Sequence, residues 1–237
     1  MNKLIILLFL IINAGQSHAT CQYSIGDQLY VWSLNGLKLR SGASTNSMQV
    51  GIINKGEKVT VISKTDLPHD EIIKIEGDPE KPDLHYEPFL FKGKWVQVVT
   101  SKSDTGYIID NYLLPVVYTH SKRPDNIALH VKILQSKTLF KKDCDGEELC
   151  LKINYSMDKN INCLMQQGGV WTSVLYTFPK LTLNEVLLIF SAAYLNFKGL
   201  YISSFEEGKL ELSDEANCRY IFKIYKDKIT LEELCTC

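Results

Sequence analysis

Between Gly36 and Pro115 the chain runs in short stretches of alternating apolar and polar residues separated by turn residues, a pattern that few folds accommodate. In Leu37-Lys38-Leu39-Arg40 the apolar residues alternate with cations, so a strand there buries one face and solvates the other. Ser41-Gly42-Ala43-Ser44 breaks that strand, and Val50-Gly51-Ile52-Ile53 resumes extended structure. Asn54-Lys55-Gly56-Glu57 turns the chain into Lys58-Val59-Thr60-Val61-Ile62, a β-branched run with Val59 and Val61 on one face. After an insertion, Lys94-Trp95-Val96-Gln97-Val98-Val99 places Val96 and Val98 together, and Thr105-Gly106-Tyr107-Ile108-Ile109 supplies the last long strand. Five or six such strands closed on themselves bury these side chains and leave few open edges, which predicts a small β-barrel suited to binding.

Four blocks in this order, GLKLRSGAST, GIINKGEKVTVI, GKWVQVV and TGYIIDNYL, resemble the bacterial SH3 (SH3b) domain family over about residues 30–115. The opening Lys38-Leu39-Arg40-Ser41-Gly42 is similar to the family's usual start, with Leu39 in place of valine and Ala43 in place of proline. The closing Gly106-Tyr107-Ile108-Ile109-Asp110-Asn111-Tyr112-Leu113 is similar to the ending of exported members. The resemblance implies an SH3-like barrel. For function it implies a module that binds cell-wall peptides, targets an enzyme or acts as a spacer.

The amino terminus carries the expectation of export. Lys3 precedes an apolar run from Leu4 to Ile12 and a polar segment ending Ser17-His18-Ala19, which reads as a signal peptide over residues 1–19 with the mature chain starting near Thr20. The run is too short to span the ~30 Å hydrocarbon core. Cys21 lies near the cut, but His18-Ala19-Thr20 lacks the pattern of lipoprotein processing. Losing Lys3 takes the formal charge from −1 to −2, which offers no field for a nucleic acid. No later segment is apolar enough to predict stable membrane insertion, so the expected location is the periplasm or the extracellular medium.

All seven cysteines lie beyond residue 19, six of them beyond residue 140, and an oxidising compartment makes disulfides the expected state. Cys144 and Cys150 flank Asp145-Gly146 and suit a bridge across a short loop. Cys218 and the terminal pair Cys235 and Cys237 flank two strands that turn near Asp227, so one of that pair falls opposite Cys218. An odd cysteine is then free or paired between chains. The Cys235-x-Cys237 gap is wrong for zinc and no histidine follows His130, so no metal and no cofactor are expected.

The insertion, residues 64–93, is long for a connection between strands. It holds Pro68, Pro79, Pro82 and Pro88 with His69, His85, Tyr86, Phe89 and Phe91. It is either a binding loop with Tyr86 and Phe89 as contacts, or a decorated hairpin in which Glu71-Ile72-Ile73-Lys74-Ile75 forms an extra strand pair. Aromatic rings offer large contact area at low entropic cost, so Trp32, Trp95, Tyr107 and Tyr112, in or beside the barrel strands, are the other candidate contacts. Trp95 alternates away from Val96 and Val98 and is expected to face a groove.

Beyond Ser121-Lys122-Arg123-Pro124-Asp125-Asn126, a candidate linker, the pattern becomes α+β. The expected organisation is thus a barrel domain over 20–117 and a cysteine-rich domain over 118–237, an antiparallel sheet with one main helix. Extended runs are expected over Ala128–Phe140, Leu149–Tyr155, Val170–Phe178, Gly199–Ile202, Lys209–Leu212 and Arg219–Tyr225. Thr182 followed by Glu185 is a capping box that opens a helix from Leu183 to about Leu195. A cell-wall cysteine peptidase needs a histidine after its cysteine, and none is there; His120 and His130 stand apart. The adjacent carboxylates Glu206-Glu207 and Glu232-Glu233 are expected to point to different faces and to be solvated, which does not suit glycoside hydrolysis. The expected protein is therefore a non-enzymatic exported binding protein whose partner is a cell-wall peptide or an envelope protein. A periplasmic inhibitor or immunity-type protein is the alternative, and a cell-wall hydrolase the third.

Overall fold

The computed structural model describes residues 23–69, 71–73, 76–77, 89–119, 130–143, 148–193, 199–216 and 218–236; for 71–73, 76–77 and 89–90 it describes the backbone alone. The signal segment, Cys21, Tyr86, the linker at 121–126, Cys144 and Cys237 lie outside these residues. The protein is mostly β, with one α-helix among the described residues.

In the N-terminal half the chain forms β1 (Gln28–Val31), β2 (Leu37–Arg40), β3 (Gln49–Ile53), β4 (Lys58–Pro68), β5 (Glu71–Ile73), β6 (Glu76–Gly77), β7 (Phe89–Phe91), β8 (Lys94–Thr100), β9 (Thr105–Ile109) and β10 (Leu113–Leu114). Seven of these make a curled antiparallel sheet in the order β10-β1-β4-β8-β9-β2-β3, an SH3-like barrel. The predicted alternation holds in space: Leu37, Leu39, Val59, Val61, Val96, Val98 and Ile108 are all buried in one cluster, while Lys38 is exposed. Gly106 is required where β9 crosses β2, because a Cβ there would lie 2.7 Å from the Arg40 carbonyl and 2.8 Å from the Leu39 side chain. Asp110, 1% exposed, accepts hydrogen bonds from the Tyr23 hydroxyl at 2.6 Å and the Lys94 amide at 2.7 Å, tying the first described residue to the final turn. Burial raises its carboxyl pKa, and these two bonds oppose that shift.

The second half contributes β11 (Ile133–Lys141), β12 (Leu149–Met157), β13 (Asn162–Gly168), β14 (Trp171–Pro179), α1 (Leu183–Ala193), β15 (Leu200–Glu206), β16 (Lys209–Asp214), β17 (Cys218–Ile224) and β18 (Lys228–Thr236). Its sheet runs β11-β12-β13-β14-β18-β17-β16-β15, larger than the segments read from sequence, and β13 was not among them. The capping box forms in both directions: the Thr182 amide donates to the Glu185 carboxylate at 2.7 Å, and the Glu185 amide donates to the Thr182 hydroxyl at 3.3 Å. From Asn184 to Ala193 every helix residue is buried, so α1 is covered on all sides and is a core helix.

The insertion takes neither of its two expected forms alone. β5 pairs antiparallel with β7, as the hairpin reading requires, but β6 pairs in parallel with Tyr201 and Ile202 of β15 and so caps the edge of the second sheet. Phe91, at the end of the insertion, is 1% exposed and sits in the core cluster that contains α1.

Trp32 belongs to that cluster too, together with Leu114, Val116 and Tyr118. At 1% exposure it cannot serve as a ligand contact, which corrects the expectation for it. Its indole N–H donates to the Val116 carbonyl at 2.9 Å, and its ring meets Tyr118 edge-on at 5.1 Å. Tyr118 stacks on His130 at 5.6 Å, Lys55 places its ammonium 4.5 Å from the Tyr118 ring centre, and the Val117 amide donates to Asp158 at 2.9 Å. The two sheets therefore share one buried core, and truncating a buried indole such as Trp32 costs about 3–5 kcal/mol.

Cys218 and Cys235 lie opposite each other on β17 and β18 and form a disulfide, which selects Cys235 from the two expected partners. Cys150 is also disulfide-bonded, and Cys163 is a free thiol with 1% exposure. Burial, aided by the charge of Glu233, pushes the Cys163 pKa up to about 12. Accordingly, thiol reagents at pH 8 should leave Cys163 unlabelled until denaturant is added, and labelling of the native protein at that residue would contradict its placement. Replacing Cys218 and Cys235 by serine opens a loop with a sequence separation of 17. It should lower the unfolding free energy by about 2–4 kcal/mol in urea titrations. Desolvation lowers the Lys55 pKa from 10.5 to about 8, so between those values the unfolded chain holds more protons and stability rises with pH. Burial also raises the Tyr118 pKa above 10, so that group opposes the trend above pH 10. The urea midpoint should therefore climb from pH 7 to pH 9, and Lys55→Met should flatten that climb.

Candidate functional site

The turn between β1 and β2, the strand β2, the end of β4, the start of β8 and the turn after β9 converge on a groove of about 370 Å³. Gly36 shapes its near wall: φ is +72°, and a Cβ there would lie 2.5 Å from the Ile53 carbonyl, so a side chain at this position would displace the turn. Trp95 lies opposite Ile109 in the β8–β9 ladder, and both line the groove with Tyr112. The Trp95 indole is 5% exposed and meets the His69 ring edge-on at 5.5 Å. Its backbone carbonyl accepts a hydrogen bond from the Thr65 hydroxyl at 2.7 Å, which holds the strand in place. Trp95 thus lines the groove as a set-in wall with little of its surface projecting, where an outward-facing ring was expected.

Three cationic or ionisable side chains share this lining: Lys38 and Arg40 from β2, and His69 from the residue that follows β4. The Arg40 guanidinium is fixed by donating to the Ser47 carbonyl at 2.7 Å, a bond that leaves its other N–H groups available. Among the described residues neither Lys38 nor Arg40 is ion-paired, unlike Lys94 with Asp66 or Arg219 with Glu211. The described lining contains no carboxylate. The chemistry on offer is an apolar floor of Trp95, Ile109 and Tyr112 beside unneutralised positive charge.

Of the aromatic residues singled out from sequence, the fold brings Trp95 and Tyr112 together. Tyr107 pairs across the strands with Arg40 and Gln97, is half-buried, and does not line the groove. Trp32 is beneath the surface in the shared core, Tyr86 is outside the described residues, and of Phe89 only the backbone is described. Lys38 and Arg40 were legible as the solvated face of a strand, and His69 as a polar residue of the insertion; their convergence depends on the curl of the sheet. Among the described residues no group of three or more His, Cys, Asp or Glu side chains has the arrangement of a metal site, and no helix is long and apolar enough to cross a membrane.

Comparison with known proteins agrees with the architecture. Residues 35–114 match the family model of the bacterial SH3 domain, and the match spans the strands that build the groove. Searches of curated proteins and of solved structures found no match. The stretch from 35 to 114 is thus similar to the bacterial SH3 domain in both sequence and strand arrangement.

Proposed function

We propose that the protein is a non-catalytic, exported binding protein of the bacterial cell envelope, in which the SH3 groove takes a short peptide segment of the cell wall or of an envelope protein. The observation that carries this reading is the groove itself, an apolar floor with convergent polar groups on a rigid strand scaffold, at a volume within the range of small-ligand sites. Bacterial SH3 domains commonly occur in cell-wall-associated proteins. Export is supported by the leader-like residues 1–19 and by disulfides, which persist in oxidising compartments. The deeply buried, protonated Cys163 thiol supports binding over cysteine-based hydrolysis, since the thiolate is the nucleophile such chemistry needs.

The second sheet then serves as a platform. It fixes the barrel through the shared core, and its disulfide stabilises it outside the cell. Its outer strand β11 is exposed along its whole length, yet it carries Lys137 and Lys141 and two register breaks, features that discourage pairing with other strands.

Asn35 is exposed on the lip of the groove, so Asn35→Trp should fill the mouth without disturbing the core. Purified mature protein should co-sediment with cell-wall sacculi, and Asn35→Trp should weaken that binding at least tenfold, by about 1.4 kcal/mol or more. Undiminished sacculus binding by Asn35→Trp would remove the groove from the account. Failure of the wild-type protein to bind sacculi, with recovery of one stoichiometric protein partner instead, would favour an inhibitor role.

A further inference from the structure

We infer that the ligand of the groove is anionic, a peptide segment presenting a free carboxylate that Arg40 and Lys38 receive while its apolar part lies on Trp95, Ile109 and Tyr112. This rests on the groove being the binding site and adds the chemical class of what it binds.

Two adjacent outward positions of β2 place Lys38 and Arg40 at the same groove, His69 stands on the opposite side against Trp95, and no acid in the described lining offsets them. Where described cations are ion-paired, a carboxylate lies beside them, as the buried Glu211 does for both Lys209 and Arg219; the described groove lining offers none. Two like charges held near each other without a counter-ion repel, and a bound anion relieves that repulsion.

Geometry then narrows the anion. Arg40 is pre-oriented by its bond to the Ser47 carbonyl, so its planar fork meets a ligand without a further ordering cost. A guanidinium fork matches a planar carboxylate through two parallel N–H···O bonds. Lys38 is exposed and supplies a mobile point charge beside it. A bare phosphate would satisfy the cations but would leave the Trp95, Ile109 and Tyr112 floor unused, whereas a peptide brings both a carboxylate and apolar surface. Envelope peptides that carry free carboxylates therefore fit, and the same peptides with those groups amidated lose the charge that the site is built to meet.

The test uses a stem peptide released from sacculi, with its carboxylates either free or amidated, titrated calorimetrically into the full mature protein. The free-acid peptide should bind at least tenfold more tightly than the amide. Arg40→Gln should erase most of that difference, chiefly by weakening the free acid, and Arg40→Lys should restore it only in part because the fork is missing. Lys38→Gln, at a side chain with no structural partner, gives the same reading if Arg40→Gln perturbs the fold, with a smaller loss. Raising the salt concentration should weaken the free acid selectively. Equal affinity for both peptides, with both variants silent, would overturn the carboxylate inference and leave the groove standing. Binding of neither peptide would overturn both. Displacement of the peptide by inorganic phosphate at comparable concentration would replace the carboxylate with a phosphate-bearing ligand.

Discussion

The burial of Trp32 and its neighbours between the two sheets is the constraint on which the rest of the structure depends. A barrel of about eighty residues has a modest core of its own, and small domains gain stability when they share apolar surface with another unit. Here Trp32, Phe91, Leu114, Val116 and Tyr118 continue the cluster that surrounds the fully buried helix α1. The insertion adds a second tie, because its strand β6 joins the edge of the distal sheet at β15. One face of the barrel is thereby committed to structure, and the groove formed by β2, the start of β8 and the turn after β9 remains open to solvent.

Within that frame, the division of labour among the aromatic residues becomes intelligible. Trp32 and Tyr118 stabilise the seam, where a cation above the Tyr118 ring completes the stack. Trp95 and Tyr112 face the groove, and Trp95 is anchored by its ladder with Ile109 and its contact with His69. Chemically similar side chains separated by a few strands take opposite roles because the sheet curls, so that one surface becomes interior and another becomes a concave wall.

Much of the barrel was legible in sequence because its strands have one buried face: Leu37 and Leu39, Val59 and Val61, Val96 and Val98 declare that face by alternation alone. The helix was legible through Thr182 and Glu185, whose reciprocal bonds are local. Strand β13, with sequence Asn-Cys-Leu-Met-Gln-Gln-Gly, carries little intrinsic signal and is held extended by pairing with β12 and β14 on either side. The site was half legible. Trp95 followed from alternation, but the role of Trp32 depends on an interface between distant segments, and the meeting of Lys38 and Arg40 with His69 depends on β4 bending back toward β8 through its register breaks. Those are tertiary facts that no single strand records.

A rigid barrel presents an apolar groove edged by Lys38 and Arg40, and we propose that an envelope peptide occupies it. The most direct measurement is the pattern of NMR shift changes when solubilised muropeptides are titrated into isotope-labelled mature protein. The account predicts saturable changes confined to the Trp95 indole, the Tyr112 ring, Ile109 and the β2 amides around Lys38 and Arg40, with Trp32 unaffected. Changes clustered on the second sheet, or none at all at saturating peptide, would contradict it.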